Sequence, residues 1–193
     1  MSHLEHKAQA PQSVTCSLLT VSDSRTPGTD TSGRAIREIL EEAGHVVADQ
    51  VIVKDEPEQV TAHVRARLSD PNTQVIITTG GTGITSRDGT FEAIDSLLDK
   101  RLEGFGELFR MLSFQDIGAA AMLSRATAGT VLANDASAIS VSANTASADT
   151  VSASRASRAA AIFVLPGSEH AVRLAMTRLI LPELGHLAQQ LRK

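Results

Sequence analysis

Residues 78–88, Thr-Thr-Gly-Gly-Thr-Gly-Ile-Thr-Ser-Arg-Asp, have the types and spacing expected of a loop that binds phosphate. They directly follow the β-branched run Val75 to Ile77, which is typical of a buried strand. The glycines let backbone N–H groups approach an anion closely, and successive free amides form a concave anion site. Arg87 adds a donor for phosphate, and Asp88 adds a carboxylate for Mg²⁺ or a proton. The stretch therefore predicts a phosphate-bearing ligand held by backbone, with an acid nearby.

The same residues also allow structural interpretations. The loop matches neither the dinucleotide fingerprint nor the P-loop, so it could be a plain turn between a strand and a helix. Asp88 could cap a helix predicted from about Thr90 to Leu98, and Asp55 could cap the helix that starts near Pro57. Both acids follow neighbouring strands close to the glycine loop. This placement favours metal or phosphate chemistry over two unrelated caps.

Two further segments offer polar groups where helices are predicted to begin. Asp30 to Gly33 supplies N-cap oxygens, and Pro166 to Ser168 follows a predicted strand. Because a helix N-terminus also binds phosphate, the cap and ligand interpretations of these residues are compatible. Arg25 lies between the first strand and Asp30, where we expect a mobile surface donor.

Strands and helices alternate along most of the chain, and this alternation predicts the fold class. Strands are expected at Val14 to Val21, Val46 to Val53, Val75 to Ile77 and Ile162 to Leu165. With helices between them, the pattern favours an α/β fold with a three-layer α/β/α arrangement around a doubly wound, mostly parallel sheet. Ligands of such sheets lie beyond the carboxyl ends of the strands. The loops that follow these strands should therefore meet at one edge.

Composition and charge narrow the classes of function. The chain has 193 residues and a net charge of −4, without a long Lys or Arg cluster, which argues against nucleic acid and anionic membranes as partners. No apolar run approaches the roughly 20 residues that span a bilayer, and the polar N-terminus lacks a signal-peptide core. Cys16 is the only cysteine, so no intrachain disulfide can form, and we expect a cytoplasmic location.

The cysteine and the histidines offer little chemistry. Cys16 lies in a predicted strand, where a buried thiol is more expected than a nucleophile. The six histidines show no pair at metal-ligand spacing within a predicted element. Neither a zinc site nor a Ser/His/Asp triad is therefore expected.

The chain is predicted to form a single domain at residues 14–193, after a flexible tail at residues 1–13. The domain is interrupted at about residues 131–161 by a segment rich in Ser and Ala, without Gly, Pro or aromatic residues. Alanine buries too little surface to offset chain entropy, so this segment is predicted to be a surface insertion, either disordered or paired in part as a hairpin. Four of the five Phe residues fall between Phe91 and Phe114, where they are expected to anchor a helical layer or a subunit contact.

Seven different short motifs are distributed along the chain. They are residues 19–25 (Leu-Thr-Val-Ser-Asp-Ser-Arg), 30–33 (Asp-Thr-Ser-Gly), 76–88, 104–110 (Gly-Phe-Gly-Glu-Leu-Phe-Arg), 123–126 (Leu-Ser-Arg-Ala), 163–168 (Phe-Val-Leu-Pro-Gly-Ser) and 182–184 (Pro-Glu-Leu). Together these motifs closely resemble the MoaB/MogA family of molybdenum cofactor biosynthesis, and the MoaB branch most. The resemblance covers about Val14 to Leu187, apart from the insertion, which departs from the short turn usual in that family.

The resemblance implies the molybdopterin-binding fold and an adenylyltransferase that converts molybdopterin and Mg-ATP into adenylylated molybdopterin and pyrophosphate. Asp55 and Asp88 match the functional aspartates of the family, so we expect them to be catalytic and to position Mg²⁺. The other residues expected to bind nucleotide or pterin are Ser22, Asp30, Ser32, Gly33, Thr79, Gly80, Gly81, Thr82, Gly83, Arg87, Glu107, Pro166, Gly167 and Ser168. The resemblance also implies a homo-oligomer, either a trimer or a hexamer.

Two other functions compete with the adenylyltransferase. A non-catalytic protein that binds molybdopterin, or a scaffold in the same pathway, is possible because the fold also serves as a binding domain. The presence of Asp55, Asp88 and Arg87 favours catalysis over this alternative. An interaction module that uses the Ser/Ala-rich segment is the third hypothesis, and it rests on composition alone.

Overall fold

Six strands form one sheet in the computed structural model, which describes residues 10–86, 88–133 and 158–192. The strands are β1 (Thr15–Val21), β2 (Val46–Val53), β3 (Val75–Thr79), β4 (Lys100–Arg101), β5 (Thr127–Ala133) and β6 (Arg158–Leu165). Their order is β2-β1-β3-β6-β5-β4. Strands β2, β1, β3 and β6 are parallel, whereas β5 runs antiparallel to both of its neighbours. The predicted mostly parallel sheet is confirmed, and the antiparallel β5 is a feature that the sequence did not reveal.

Helices cover both faces of the sheet. They are α1 (Thr31–Glu42), α2 (Pro57–Ser69), α3 (Thr90–Asp95), α4 (Glu103–Ile117), α5 (Glu169–Ala175) and α6 (Leu181–Gln190). A 3-10 helix at Gly118–Leu123 follows α4, and a π-helical turn at Met176–Ile180 joins α5 to α6. The π turn and the restart at Pro182 agree with the break that proline predicts there. Helix α3 is shorter than the prediction of Thr90 to Leu98, because the chain turns after Asp95 to pair as β4.

Two apolar clusters, one on each face, give the molecule three layers. Strand residues alternate between them, so Leu18 and Ile77 face one cluster while Leu19 and Ile76 face the other. The first cluster is covered by α1, α4, α5 and α6, and the second by α2 and α3. Cys16 belongs to the first cluster, where burial raises the pKa of its thiol to about 12. It is thus a neutral core residue, as predicted.

The two ends of the predicted insertion belong to the sheet. Val131 pairs with Ala160 and Ala133 with Arg158 in the antiparallel ladder of β5 and β6. Strand β6 therefore begins before the predicted start at Ile162, because pairing with β5 extends the strand through the alanines at its start. Residues 134–157, the remainder of the predicted insertion, lie outside the described residues.

Residues 10 and 11 are in contact with the last helix. Residues 1–9 of the predicted tail lie outside the described part of the chain. Pro11 packs against Gly185 of α6 so closely that a Cβ on this glycine would lie 2.7 Å from the Pro11 carbonyl oxygen. Val14 is fully buried, and its N–H donates to Nδ1 of His45 at 3.2 Å. Within the described residues, no helix is long and apolar enough to cross a bilayer.

Arg158 joins the start of β6 to the turn that precedes β3. Its guanidinium donates to the carbonyl oxygens of Leu68 at 2.7 Å, Pro71 at 3.1 Å and Thr73. The sequence placed this residue in the insertion and gave it no role. The bond to Leu68 satisfies a carbonyl that the end of α2 leaves unpaired, and the other two hold the turn that follows the helix.

We predict that Arg158→Ala lowers the free energy of unfolding by about 1.5–3 kcal/mol, the range for hydrogen bonds from a charged group. Urea denaturation followed by circular dichroism measures this change. The control is Arg173→Ala, because the exposed Arg173 pairs with Glu169 on the same helix and its loss should cost less than about 0.5 kcal/mol. Equal losses in the two variants would contradict the role assigned to Arg158.

Candidate functional site

The loops after β3 and β6 lie against each other at the carboxyl edge of the sheet. The Gly80 N–H donates to the Leu165 carbonyl at 3.1 Å, and the Thr79 hydroxyl donates to the Pro166 carbonyl at 2.9 Å. A Cβ on Gly167 would lie 3.3 Å from the Gly80 Cα. The topology thus brings together two of the segments that the sequence predicted to meet.

Two glycines of this loop adopt a backbone conformation that other residues rarely accept. Gly80 has a φ of 99°, and a Cβ there would lie 2.1 Å from the Val21 carbonyl oxygen at the end of β1. Gly81 has a φ of 61°, and its Cβ would lie 2.9 Å from Oδ1 of Asp55. The glycines therefore allow the loop to pass directly over the ends of β1 and β2.

Asp55 is tied to the start of α3 rather than to the start of α2. Its Oδ1 accepts a hydrogen bond from the Thr90 hydroxyl at 2.8 Å, and its N–H donates to Asp23 at 3.3 Å. Helix α2 has Glu56 as its N-cap residue and no side-chain capping bond. The helix-cap interpretation of Asp55 is thus wrong, and the carboxylate faces the glycine loop.

Asp88 closes the other end of the glycine loop. Its Oδ2 accepts from the Thr85 N–H at 2.9 Å and from the Thr85 hydroxyl. A Cβ on Gly83 would lie 2.5 Å from the same oxygen. Helix α3 has Gly89 as its N-cap and no side-chain capping bond, so the cap interpretation of Asp88 is also wrong. Hydrogen bonds from Thr85, first that of its hydroxyl, hold the pKa of Asp88 below the ordinary value.

The start of α1 is locked to the loop after β6. Asp30 is buried, caps α1 through the Gly33 N–H at 2.9 Å, and accepts from the Thr20 hydroxyl at 2.7 Å. The Ser32 hydroxyl donates to the Gly167 carbonyl at 2.8 Å. The side chains of Asp30 and Ser32, two of the predicted binding residues, are thus hydrogen-bonded to other protein atoms. In this structure they position the loops.

Arg25 joins the same contacts, although the sequence predicted a mobile surface side chain. We call this set, formed by Arg25, Asp30 and Ser32 with the Gly167 carbonyl, the lock. Arg25 donates to Asp30 at 3.1 Å, to the Ser32 hydroxyl at 2.8 Å and to the Gly167 carbonyl at 2.8 Å. The prediction was wrong because the partner loop is more than a hundred residues away in sequence. Spacing along the chain carried no signal of this contact.

The remaining predicted residues differ in their placement. Ser168 caps α5 through the Ala171 N–H at 3.2 Å, and Ser22 accepts from the Arg25 N–H at 3.1 Å. Thr82 is buried within the glycine loop. Glu107 is exposed on α4 and, among the residues that the structure describes, is not joined to the others by these contacts. Arg87 lies outside the described residues.

Arg125 is a site residue to which the sequence assigned no role. Its Nε donates to the Thr82 carbonyl at 2.9 Å and its Nη2 to the Gly83 carbonyl at 2.6 Å. It reaches this edge because β5 is antiparallel, which places the amino end of β5 beside the carboxyl end of β6. The only signal in the sequence was that Arg125 lies within the Leu-Ser-Arg-Ala motif.

A cleft of about 820 Å³ opens beside the lock, between the β1–α1 loop and the edge strand β2. Its lining carries four basic and two acidic residues: Arg25, Arg34, Arg37, Lys54, Asp23 and Asp30. The excess of positive charge suits a ligand with several negative charges. Asp23 lines the cleft, and its side chain also accepts a hydrogen bond from the Asp55 N–H. The cleft therefore adjoins the part of the site that contains Asp55.

The donor set suits a hard cation held partly by its ligand. Within the described residues, no group of three or more His, Cys, Asp or Glu side chains could hold a metal ion. Asp55 and Asp88 supply carboxylate oxygens on either side of the glycine loop. Mg²⁺ is commonly held by one or two carboxylates together with substrate phosphates and water, and carboxylates are the donor type that this edge offers.

Comparison with known proteins identifies clear relatives. The family described as "Probable molybdopterin binding domain" matches residues 17–186. The Molybdenum cofactor biosynthesis protein B of Bacillus cereus is 46% identical over 194 aligned residues, which cover 100% of this chain and 99% of that protein. A crystal structure of a Molybdenum cofactor biosynthesis protein B matches with a TM-score of 0.79 and 46% identity, covering 95% of this chain and 98% of the other. The tungsten cofactor synthesizing protein MoaB from Pyrococcus furiosus matches with a TM-score of 0.75 and 32% identity, covering 95% and 100%.

We predict that the Asp88 carboxyl titrates below its usual pKa of 3.8 in the folded protein, and that Thr85→Ala moves the midpoint upward. The Thr85 hydroxyl stabilises the carboxylate form, so its loss favours the proton. The stability that this carboxylate contributes is present above pH 3.8 and is lost as the pH falls through the lower folded value. NMR titration of the Asp88 carboxyl carbon in metal-free buffer measures the shift. Thr177→Ala, on the last helices, is the control and should leave the midpoint unchanged.

Proposed function

The chain belongs to the molybdopterin-binding domain family of molybdenum cofactor biosynthesis, and we propose that it transfers an adenylyl group from ATP to molybdopterin. Family membership agrees with the resemblance that the sequence motifs carry. The observation that carries the proposal is the position of two carboxylates on one glycine loop, with Asp55 against Gly81 and Asp88 against Gly83. A loop of amides between two acids suits a reaction in which one phosphate attacks another.

In the proposed reaction, an oxygen of the terminal phosphate of molybdopterin forms a bond to the α-phosphorus of ATP. The bond between that phosphorus and the oxygen that bridges to the β-phosphate breaks, and pyrophosphate leaves. Two anions must approach each other, so neutralisation of charge dominates the barrier. The protein lowers this barrier mainly by holding both phosphates in line, since little covalent chemistry is left to its side chains.

Different loops of the site are proposed to hold the two phosphates. We assign one phosphate to the amides of Gly81 to Gly83 and the other to the loop Pro166 to Ser168, while the Gly80 amide joins the two loops through Leu165. The lock of Arg25, Asp30 and Ser32 fixes the second loop relative to the start of α1. Ser22 and Glu107 remain assigned to the pterin, as their motifs predict.

Asp55 and Asp88 would hold Mg²⁺ on the nucleotide, and the metal would supply charge neutralisation at the phosphates. Both side chains are oriented by threonine hydroxyls, Thr90 for Asp55 and Thr85 for Asp88. Such outer contacts restrict the rotation of a metal-binding carboxylate. The low pKa of Asp88 keeps it ionised throughout the neutral range.

A homo-oligomer is also proposed, with α4 and the following 3-10 helix as the contact. Helix α4 buries Phe105 and Phe109 on its inner side but leaves large apolar residues outside. The exposed set, which we call the α4 face, is Leu108, Met111, Phe114, Ile117, Met122 and Leu123. A helix that is apolar on both sides is typical of burial on both sides.

A second copy of the chain is the occupant that the α4 face suits. Met111, Phe114 and Met122 also line an apolar cavity of about 460 Å³ on this face. Protruding apolar side chains and a cavity therefore occur on the same surface, which is the self-complementarity that a contact between copies requires. The family resemblance implies a trimer or hexamer, and this face is where we place its contact.

The test of the activity is to mix the purified protein, molybdopterin and Mg-ATP and to look for AMP-linked pterin by mass spectrometry. We predict product with the native chain, and a fall in kcat of at least about 100-fold for Asp55→Asn and for Asp88→Asn. Asp116→Asn is the control, because Asp116 pairs with His170 on the helical layer. Pterin binding without product in the native chain would leave the protein a non-catalytic binder.

We predict that Phe114→Glu, which places a charge on the α4 face, dissociates the oligomer, because a buried unpaired charge is costly. Phe114 is 61% exposed in the single chain, so the fold itself should tolerate the change. Multi-angle light scattering after size-exclusion chromatography gives the mass. Val46→Glu, an exposed apolar position on the edge strand, should leave the mass unchanged. A native monomer would reject the proposed assembly.

A further inference from the structure

Arg125 contacts both the backbone of the glycine loop and the helix that follows it. We propose that Arg125 is a positioning residue, which orients the peptide groups of the loop toward Asp88 and does not itself bind substrate. This inference deepens the proposed adenylyl transfer and rests on it for the kinetic part of its test. The glycines of this loop have no side chains that could fix its conformation. The inference is that the Arg125 side chain fixes it instead.

Three carbonyl oxygens of the loop face the guanidinium. They belong to Thr82 at 2.9 Å from Nε, Gly83 at 2.6 Å from Nη2 and Asp88 at 3.5 Å from Nη2. The planar fork of arginine thus bridges the two ends of the segment from Thr82 to Asp88. A lysine could not make this set of contacts, because its ammonium is a single point donor.

The peptide between Thr82 and Gly83 lies between Arg125 and Asp88. Its carbonyl accepts from Arg125, and Gly83 lies against the Asp88 carboxylate, because a Cβ on this glycine would lie 2.5 Å from Oδ2. Because a trans peptide points its C=O and N–H in opposite directions, fixing the carbonyl also fixes the N–H. Arg125 therefore fixes the peptide group that lies against the Asp88 carboxylate.

The guanidinium is held from its other side by α3. It pairs with the Glu92 carboxylate through Nη1 and Nη2, and it lies 4.8 Å from the centre of the Phe91 ring. The side chain is 24% exposed, and each of its three nitrogens donates to a protein oxygen. This environment favours a structural fork over a mobile donor that reaches for phosphate.

The test compares Arg125→Gln and Arg125→Lys with the native chain. Amide hydrogen exchange of the ligand-free protein, read over residues 82–89 by mass spectrometry, should rise at least about tenfold in both variants, since local opening sets the exchange rate. The kcat for adenylyl transfer should fall by about 100-fold in both, while the KM for ATP stays within about threefold. The control is Arg101→Gln, because Arg101 makes a two-bond pair with Asp95 at the surface and should change neither quantity.

Three outcomes would overturn the inference. Exchange in Arg125→Gln at the level of Arg101→Gln would mean that Arg125 does not hold the loop. A Lys variant that keeps its kcat while the Gln variant loses it would assign the role to charge instead of geometry. A raised KM with unchanged kcat would assign Arg125 to substrate binding. If the native chain lacks adenylyl transfer, the proposed function fails, and the exchange measurement alone still decides the role of Arg125.

Discussion

The absence of a side chain at Gly80 is the constraint on which the rest of the site depends. A Cβ at this position would lie 2.1 Å from the Val21 carbonyl, so any other residue would push the loop away from the end of β1. The displaced loop would then lose its bond to Leu165 and its approach to Asp55. The missing side chain at Gly80 thus allows the ends of β1, β2 and β6 to lie close together. The polar contacts around the site refine an arrangement that this close approach makes possible.

The direction of β5 decides which side chains can serve the site. Parallel strands bring only their carboxyl ends to this edge, and loops alone would then supply every functional group. Because β5 is antiparallel, its amino end also lies at this edge, and Arg125 immediately precedes β5 in the chain. The site is therefore assembled from both kinds of strand end. The backbone cradle comes from the parallel part of the sheet, and the side chain that braces it comes from the antiparallel part.

Local patterns predicted the parts of this molecule that local physics controls. Strand β2 and the caps at Asp30 and Ser168 follow from β-branched runs and capping residues, and they were placed correctly. Arg25 and Arg125 were missed as anchors because each holds a distant loop through backbone carbonyls, which every residue possesses and no sequence pattern marks. The start of β6 was misplaced because alanines gain their strand conformation from pairing with β5 and not from their own preference.

The β5–β6 hairpin has a consequence for how this chain tolerates variation. Its open ends, at Ala133 and Arg158, lie at the amino edge of β6, whereas the loops of the site follow Leu165 at the carboxyl edge. Eight residues of strand separate the two edges, a distance of roughly 25 Å at about 3.3 Å per residue. The length of chain between Ala133 and Arg158 is thus not constrained by the geometry of the site. We expect a longer or shorter connection here to leave the positions of the strand ends unchanged.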